Sequence, residues 1–132
     1  RQQQLLITGH TKKETQNIIG DRVRINFGTM VDTASLDNIP VYSPRVGANG
    51  DFIVANDGTV TIDTAGGVKP DTVGVIHGHP VKVYRTTLVG QSKIAGLGAN
   101  DHVFLYPVML EQYQQVGWFP TDHIRILEGG KA

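Results

Sequence analysis

The chain contains no cysteine. No disulfide can staple it, and thiolate catalysis and cysteine-ligated zinc are excluded. Charge is scarce as well. Charged residues make up 18 %, below the quarter usual for a globular domain. Neither sign prevails, with 12 Lys+Arg against 12 Asp+Glu. A balanced chain offers no electrostatic footprint for a phosphate backbone, which argues against nucleic acid as a partner. It also lacks the polybasic clusters that grip anionic lipid, and no apolar run approaches the ~18 residues of a membrane span. No signal peptide is visible. Serine occurs only as Ser35, Ser43 and Ser92, none in a nucleophile elbow. No phosphate-cradling glycine motif precedes a helix, and no close carboxylate pair stands out as a glycosidase site. These gaps favour a chain that binds over one that catalyses, with no cofactor expected.

What is present is glycine, at 16 residues in a chain of 132. That length suits one domain able to bury a core of its own. Its first residue is Arg1, not Met, so a piece of a longer protein or a processed product is expected. Residues 1–20 read as an N-terminal arm or linker. In it, residues 3–8 suit a strand, and residues 12–19 suit two helical turns with Thr11 as N-cap and Glu14 at the capping-box position. From residue 21 to 128 the pattern is strand and turn. Val23, Ile25 and Phe27 alternate with Arg22, Arg24 and Asn26. Residues 39–43 alternate too, with Pro40 marking an edge or a strand start. Residues 51–55 and 59–63 flank Asn56-Asp57-Gly58, a tight-hairpin signal because these residues tolerate positive φ. Residues 72–76 and 81–85 flank His77-Gly78-His79-Pro80, a second hairpin candidate. Residues 103–110 are long and apolar, and Pro107 within them implies an edge position or a bend. Residues 47–50, 65–69 and 90–101 read as glycine-rich loops, and residues 129–132 as a flexible tail. Short strands with turns about every ten residues predict an all-β barrel or sandwich.

The most specific stretch is GWFPTDHIRIL, residues 117–127. Gly117 permits close backbone approach, and Trp118, the only tryptophan, puts a broad ring on the wall. Pro120, Thr121 and Asp122 suit a single 3₁₀ turn, after which Ile124 and Ile126 return to the core. This resembles the ending of bacterial SH3-type domains, and residues 39–44, IPVYSP, resemble their opening strand. The resemblance implies a small SH3-like barrel with long loop insertions and a short helical or extended arm. Such domains sit on phage lysins and peptidoglycan hydrolases and bind cell-wall peptide bridges or glycans. The implied location is the extracellular cell surface or a virion. The implied ligand-binding residues are Tyr42, Tyr84, Tyr106, Tyr113 and Trp118, whose rings suit sugars and peptides.

Other readings have to be weighed beside it. A phage virion structural or assembly protein, making homo-oligomeric or other subunit contacts through exposed β edges, suits the low charge equally. His77 and His79 share a face if extended, and Asp71 or Asp101 would be a third metal ligand, but no diagnostic spacing fixes a third, so no metal is expected. Asp63-Thr64-Ala65-Gly66 resembles the catalytic turn of retroviral-type aspartic proteases, in which two chains pair their carboxylates around one proton. Downstream, Ile94-Ala95-Gly96 is a poor match to that family's second element.

Overall fold

The structure, a computed structural model, describes residues 18–28, 37–89 and 101–128. The expected helix at 12–19 lies largely outside these, as do the arm before residue 18, residues 90–100 and the tail. The described residues form an all-β unit of eight strands and two 3₁₀ turns. The strands are β1 (Arg22–Ile25), β2 (Ile39–Pro44), β3 (Ile62–Val68), β4 (Thr72–Ile76), β5 (Val81–Tyr84), β6 (His102–Leu110), β7 (Gln115–Pro120) and β8 (Ile124–Glu128). They build one antiparallel sheet in the order β3-β2-β7-β6-β4-β1-β8, with β5 attached to β6 beside that path. The ladder is open: its two end strands do not pair with each other.

β6 is the organising strand. One edge pairs with β7 from Leu105 to Leu110. The other edge is shared, with β5 taking residues 102–105 and β4 taking residues 108–110. The expected hairpin across His77–Pro80 is therefore not formed. β4 and β5 lie end to end along β6, and the segment between them steps from one to the other. Pro107 falls at the changeover. Its carbonyl accepts the His77 N–H at 2.7 Å, so its nitrogen faces the same edge, where no strand requires a donor. Proline is thereby accommodated in an interior strand, at the point where one edge of β6 changes partner, the expectation being an edge position or a bend.

Alternation along β6 feeds two cores. Phe104, Tyr106, Val108 and Leu110 join Val23, Ile25, Ile39, Ile76, Phe119 and Ile124 on one face. Val103 and Leu105 join Tyr42, Val60, Val83, Leu88 and Trp118 on the other. A strand buried on both faces reads as a continuous apolar run, as residues 103–110 do.

β3 runs through residues expected as loop, 65–68 of AGGV. The ladder with β2 uses main-chain groups, which glycine supplies as well as any residue, and the glycine at 66 takes φ +115° beside a bulge between Pro40 and Tyr42. At the C-terminal end the expectation holds: β7, a 3₁₀ turn at Thr121–His123, then β8. Gly117 is required there, because a Cβ would stand 2.8 Å from Val41 Cγ1. Ile124 is buried but Ile126 is 44 % exposed. β8 is the outermost strand, so Ile126 gains cover from β1 alone instead of returning to the core.

Candidate functional site

The five aromatic side chains expected to form a platform do not converge. Tyr42 and Tyr106 are buried to 1 % exposure and present no ring face to solvent. Burial raises the Tyr42 phenol above its ordinary range, and its oxygen accepts the Val89 N–H at 2.8 Å, which partly offsets the rise. Tyr42→Phe should therefore leave that amide without its partner and cost about 1 kcal/mol in a denaturant melt. Tyr84 stands at the end of β5, its ring 4.8 Å from that of His102 and tilted by 48°. Tyr113 is exposed in the turn joining β6 and β7. Trp118, half-buried, is paired with Tyr42 on one side and Pro107 on the other. Positions 102 and 107 of β6 are five residues apart, so Tyr84 and Trp118 are separated by roughly 16 Å along the strand.

Two places gather chemistry instead. The first is the turn at 55–58. Gly58 takes φ +86° and its N–H donates to the Ala55 carbonyl at 2.9 Å, while the Ala55 N–H donates to Thr59 at 2.8 Å. Asp57 Oδ1 accepts the Thr59 N–H and hydroxyl at 3.0 and 2.7 Å, and Oδ2 accepts the Tyr84 hydroxyl. These bonds, the Tyr84 one foremost, hold the Asp57 carboxyl well below the usual range and push the Tyr84 phenol up. Every acceptor there is engaged, so the cluster works as a clasp between the turn and β5.

The second is the ribbon that precedes it. Val46 and Phe52 pair across a tight turn, with Gly47 N–H to Asp51 O at 2.8 Å and Ile53 N–H to Arg45 O at 3.0 Å. That bonding makes Val46 and Phe52 a close, non-hydrogen-bonded pair, whose side chains are neighbours on one face, and strand periodicity puts Val54 on the same face. Asn49 shapes the turn by accepting the Asp51 N–H on its side-chain oxygen at 3.1 Å. The Phe52 ring meets Trp118 edge-on, with centroids 5.6 Å apart and planes at 81°. Val46, Phe52, Ile53 and Val54 are 40–59 % exposed. Sequence reasoning placed residues 51–55 in a strand and took its site from Tyr and Trp, so it missed this ribbon. The available signal was four large apolar residues within nine, framed by two tight turns too close together for the ribbon to cover both faces.

The remaining candidates are occupied by other roles. Asp63 lies within β3, not in a turn, and meets the Arg45 guanidinium at 2.5 Å, which lowers its carboxyl below the usual range. A carboxylate held charged by arginine is opposite to one sharing a proton with a twin. Asp63→Asn removes an exposed ion pair and should leave the midpoint of a denaturant melt nearly unchanged. A shallow groove of about 360 Å³ beside β4 and β6 is lined by Asp71, Thr72, Val73, Glu111 and Gln112. Its carboxylates face arginines, Glu111 with Arg22 at 3.1 Å and Asp71 with Arg24 at 3.7 Å. His77 and His79 are exposed on either side of Gly78, and no group of three metal-ligating side chains forms among the described residues.

The fold and site together define an all-β protein with an open antiparallel sheet and an exposed apolar ribbon. The chain matches no known sequence family, no curated protein and no solved structure.

Proposed function

We propose that this chain is a non-catalytic binding module that attaches a larger protein, such as a hydrolase, to the bacterial cell wall. The ligand in this reading is the peptide portion of the wall polymer, held on the ribbon at 46–54 beside Trp118. The observation that carries the reading is the exposure of Val46, Phe52 and Val54, 40–59 %, on one face of a ribbon fixed at both ends. Apolar surface gathered in this way marks a contact site. Peptide is favoured over glycan by geometry. Sugars stack on an open ring face, whereas here the edge of one ring meets the face of the other at 81°, and the flanking side chains are branched aliphatics. The finer fold that goes with this function is a small SH3-like barrel. It draws support from the order of β7, 3₁₀ turn and β8 over GWFPTDHIRIL and from the space that only glycine leaves at 117. The location it implies is a cell surface or a virion. Co-sedimentation with purified Gram-positive walls tests it. The chain should pellet with walls and stay soluble without them, and failure across several wall types would remove the proposal.

A second reading has its own support. Among the described residues β3 and β8 each pair along one edge only, and an open strand edge is a template for another chain. That suits a virion assembly protein. Light scattering that reports a ring-sized or larger particle would favour it.

A further inference from the structure

His123 is the one buried titratable side chain in the described residues whose polar atoms all lack a partner. It is 1 % exposed, and neither Nδ1 nor Nε2 makes a hydrogen bond. A buried polar group left unpaired is costly and calls for a reason. Its position supplies one. It ends the 3₁₀ turn that hinges β8 onto the sheet, and its carbonyl accepts the Asn26 N–H at 2.9 Å, the first rung of the β1–β8 ladder. The backbone of β1's extension lies directly against it, since a Cβ at Gly28 would fall 2.7 Å from His123 Cδ2. On the other side Thr121 donates to the Phe104 carbonyl of β6 at 3.5 Å. β8 itself is lightly anchored. Ile124 is its one buried residue among those described, while Arg125 and Ile126 are exposed.

We infer that His123 is an acid-sensitive latch: protonation of its ring releases the 121–128 segment from β1 and uncovers the β1 edge. A charged imidazolium has two donors to satisfy; neither ring nitrogen is hydrogen-bonded in the folded state, and the Asp122 carboxylate beside Gly28 lies near the ring without bonding it, so the cheaper route is to carry the ring into water. The charged groups acting on it are its own neighbours, and they oppose each other: Asp122 favours the charged ring and Arg125 disfavours it, with burial outweighing both. From β1 and β6 it meets the Asn26 and Gly28 backbone and the Phe104 strand, and the charged pair of that region among the described residues, Arg24 with Asp71, is joined at 3.7 Å. Burial lowers the ring to about 4, from an ordinary 6.5. The folded value is the depressed one, so the latch is fully closed above pH 6.5. Its opening equilibrium rises about tenfold per pH unit as the pH falls from 6.5 towards 4, then levels off.

Amide hydrogen exchange followed by NMR between pH 7 and 4, corrected for the intrinsic exchange rate, tests this. The Asn26 amide and those of residues 124–127 should lose protection about tenfold per unit, while amides of the β6–β7 ladder keep theirs. His123→Leu should abolish that slope. Equal slopes in wild type and variant, or loss of protection throughout the sheet at once, would overturn the latch. Should the variant fail to fold, the ring protons of wild-type His123 decide: titration near 6.5 with the Asn26 amide still protected would overturn it.

Discussion

Gly74→Ala is expected to remove about 3 kcal/mol of stability, the upper range for forcing atoms into a filled core. Gly74 lies in β4 opposite Leu110 of β6. A Cβ there would stand 2.5 Å from Val108 Cγ1 and 2.6 Å from the Met109 carbonyl oxygen. Neither neighbour can yield cheaply. Val108 is fully buried and the Met109 oxygen is main chain. The methyl group must therefore push β4 away from β6, which weakens the pairing of the central strand and also shifts β1, carried on the far side of β4. In urea, with a slope near ~1.5 kcal/mol/M, the unfolding midpoint should fall by about 2 M. A fall of less than about 0.5 M would mean that β4 is not pressed against β6 as described.

Under the proposed function, Phe52→Ala is expected to weaken wall binding about thirtyfold, the equivalent of ~2 kcal/mol for a central aromatic anchor. The same change should cost the fold only about 1 kcal/mol, the scale of one edge-to-face aromatic contact. Phe52 is 40 % exposed and belongs to neither core cluster. Its ribbon is held by main-chain bonds from Gly47 and Ile53 and by the Asn49 turn, all of which survive the substitution. The separation of the two effects is what gives the variant its value. Trp118→Ala would confuse them, since Trp118 packs on the second core as well as on Phe52. A titration against solubilised wall fragments, paired with a thermal melt, measures both. Unchanged affinity with an unchanged melt would move the site elsewhere.

Local signals in the sequence carried over to the structure, and non-local ones did not. The Asn56-Asp57-Gly58 turn, the alternation of Val23, Ile25 and Phe27, and the ending GWFPTDHIRIL each depend on a few adjacent residues with defined φ preferences or periodicity. All three are found, apart from Ile126, although the strands expected at 51–55 and 59–63 around the turn are reduced largely to isolated bridges, Val46 with Phe52 and Val54 with Val60. The pairing of β4 and β5 is different in kind. The turn residues His77–Pro80 suit a hairpin, but the choice of β6 as common partner is made by burial of Val83 and Ile76 against opposite faces of β6, which no local pattern encodes. Pro107 is a case of the same kind, because its place in an interior strand depends on where two other strands meet. Burial of the aromatics was also hidden. Tyr42 and Trp118 are direct cross-strand partners, yet one is core and the other half-exposed. The ribbon was the least legible part, because alternation of Phe52 and Val54 looks the same whether the strand is covered or bare. Only the fold shows that Phe52 stays 40 % exposed, with Trp118 as its aromatic neighbour among the described residues.

The central claim is that residues 46–54 and Trp118 form the contact surface. NMR spectra of the labelled chain with soluble stem-peptide fragments of Gram-positive wall test it most directly. The methyl signals of Val46 and Val54, the Phe52 ring and the Trp118 indole should shift together and saturate at one concentration. Shifts confined to Tyr84, Tyr113 or the β3 and β8 edges, with the ribbon unmoved, would contradict the account.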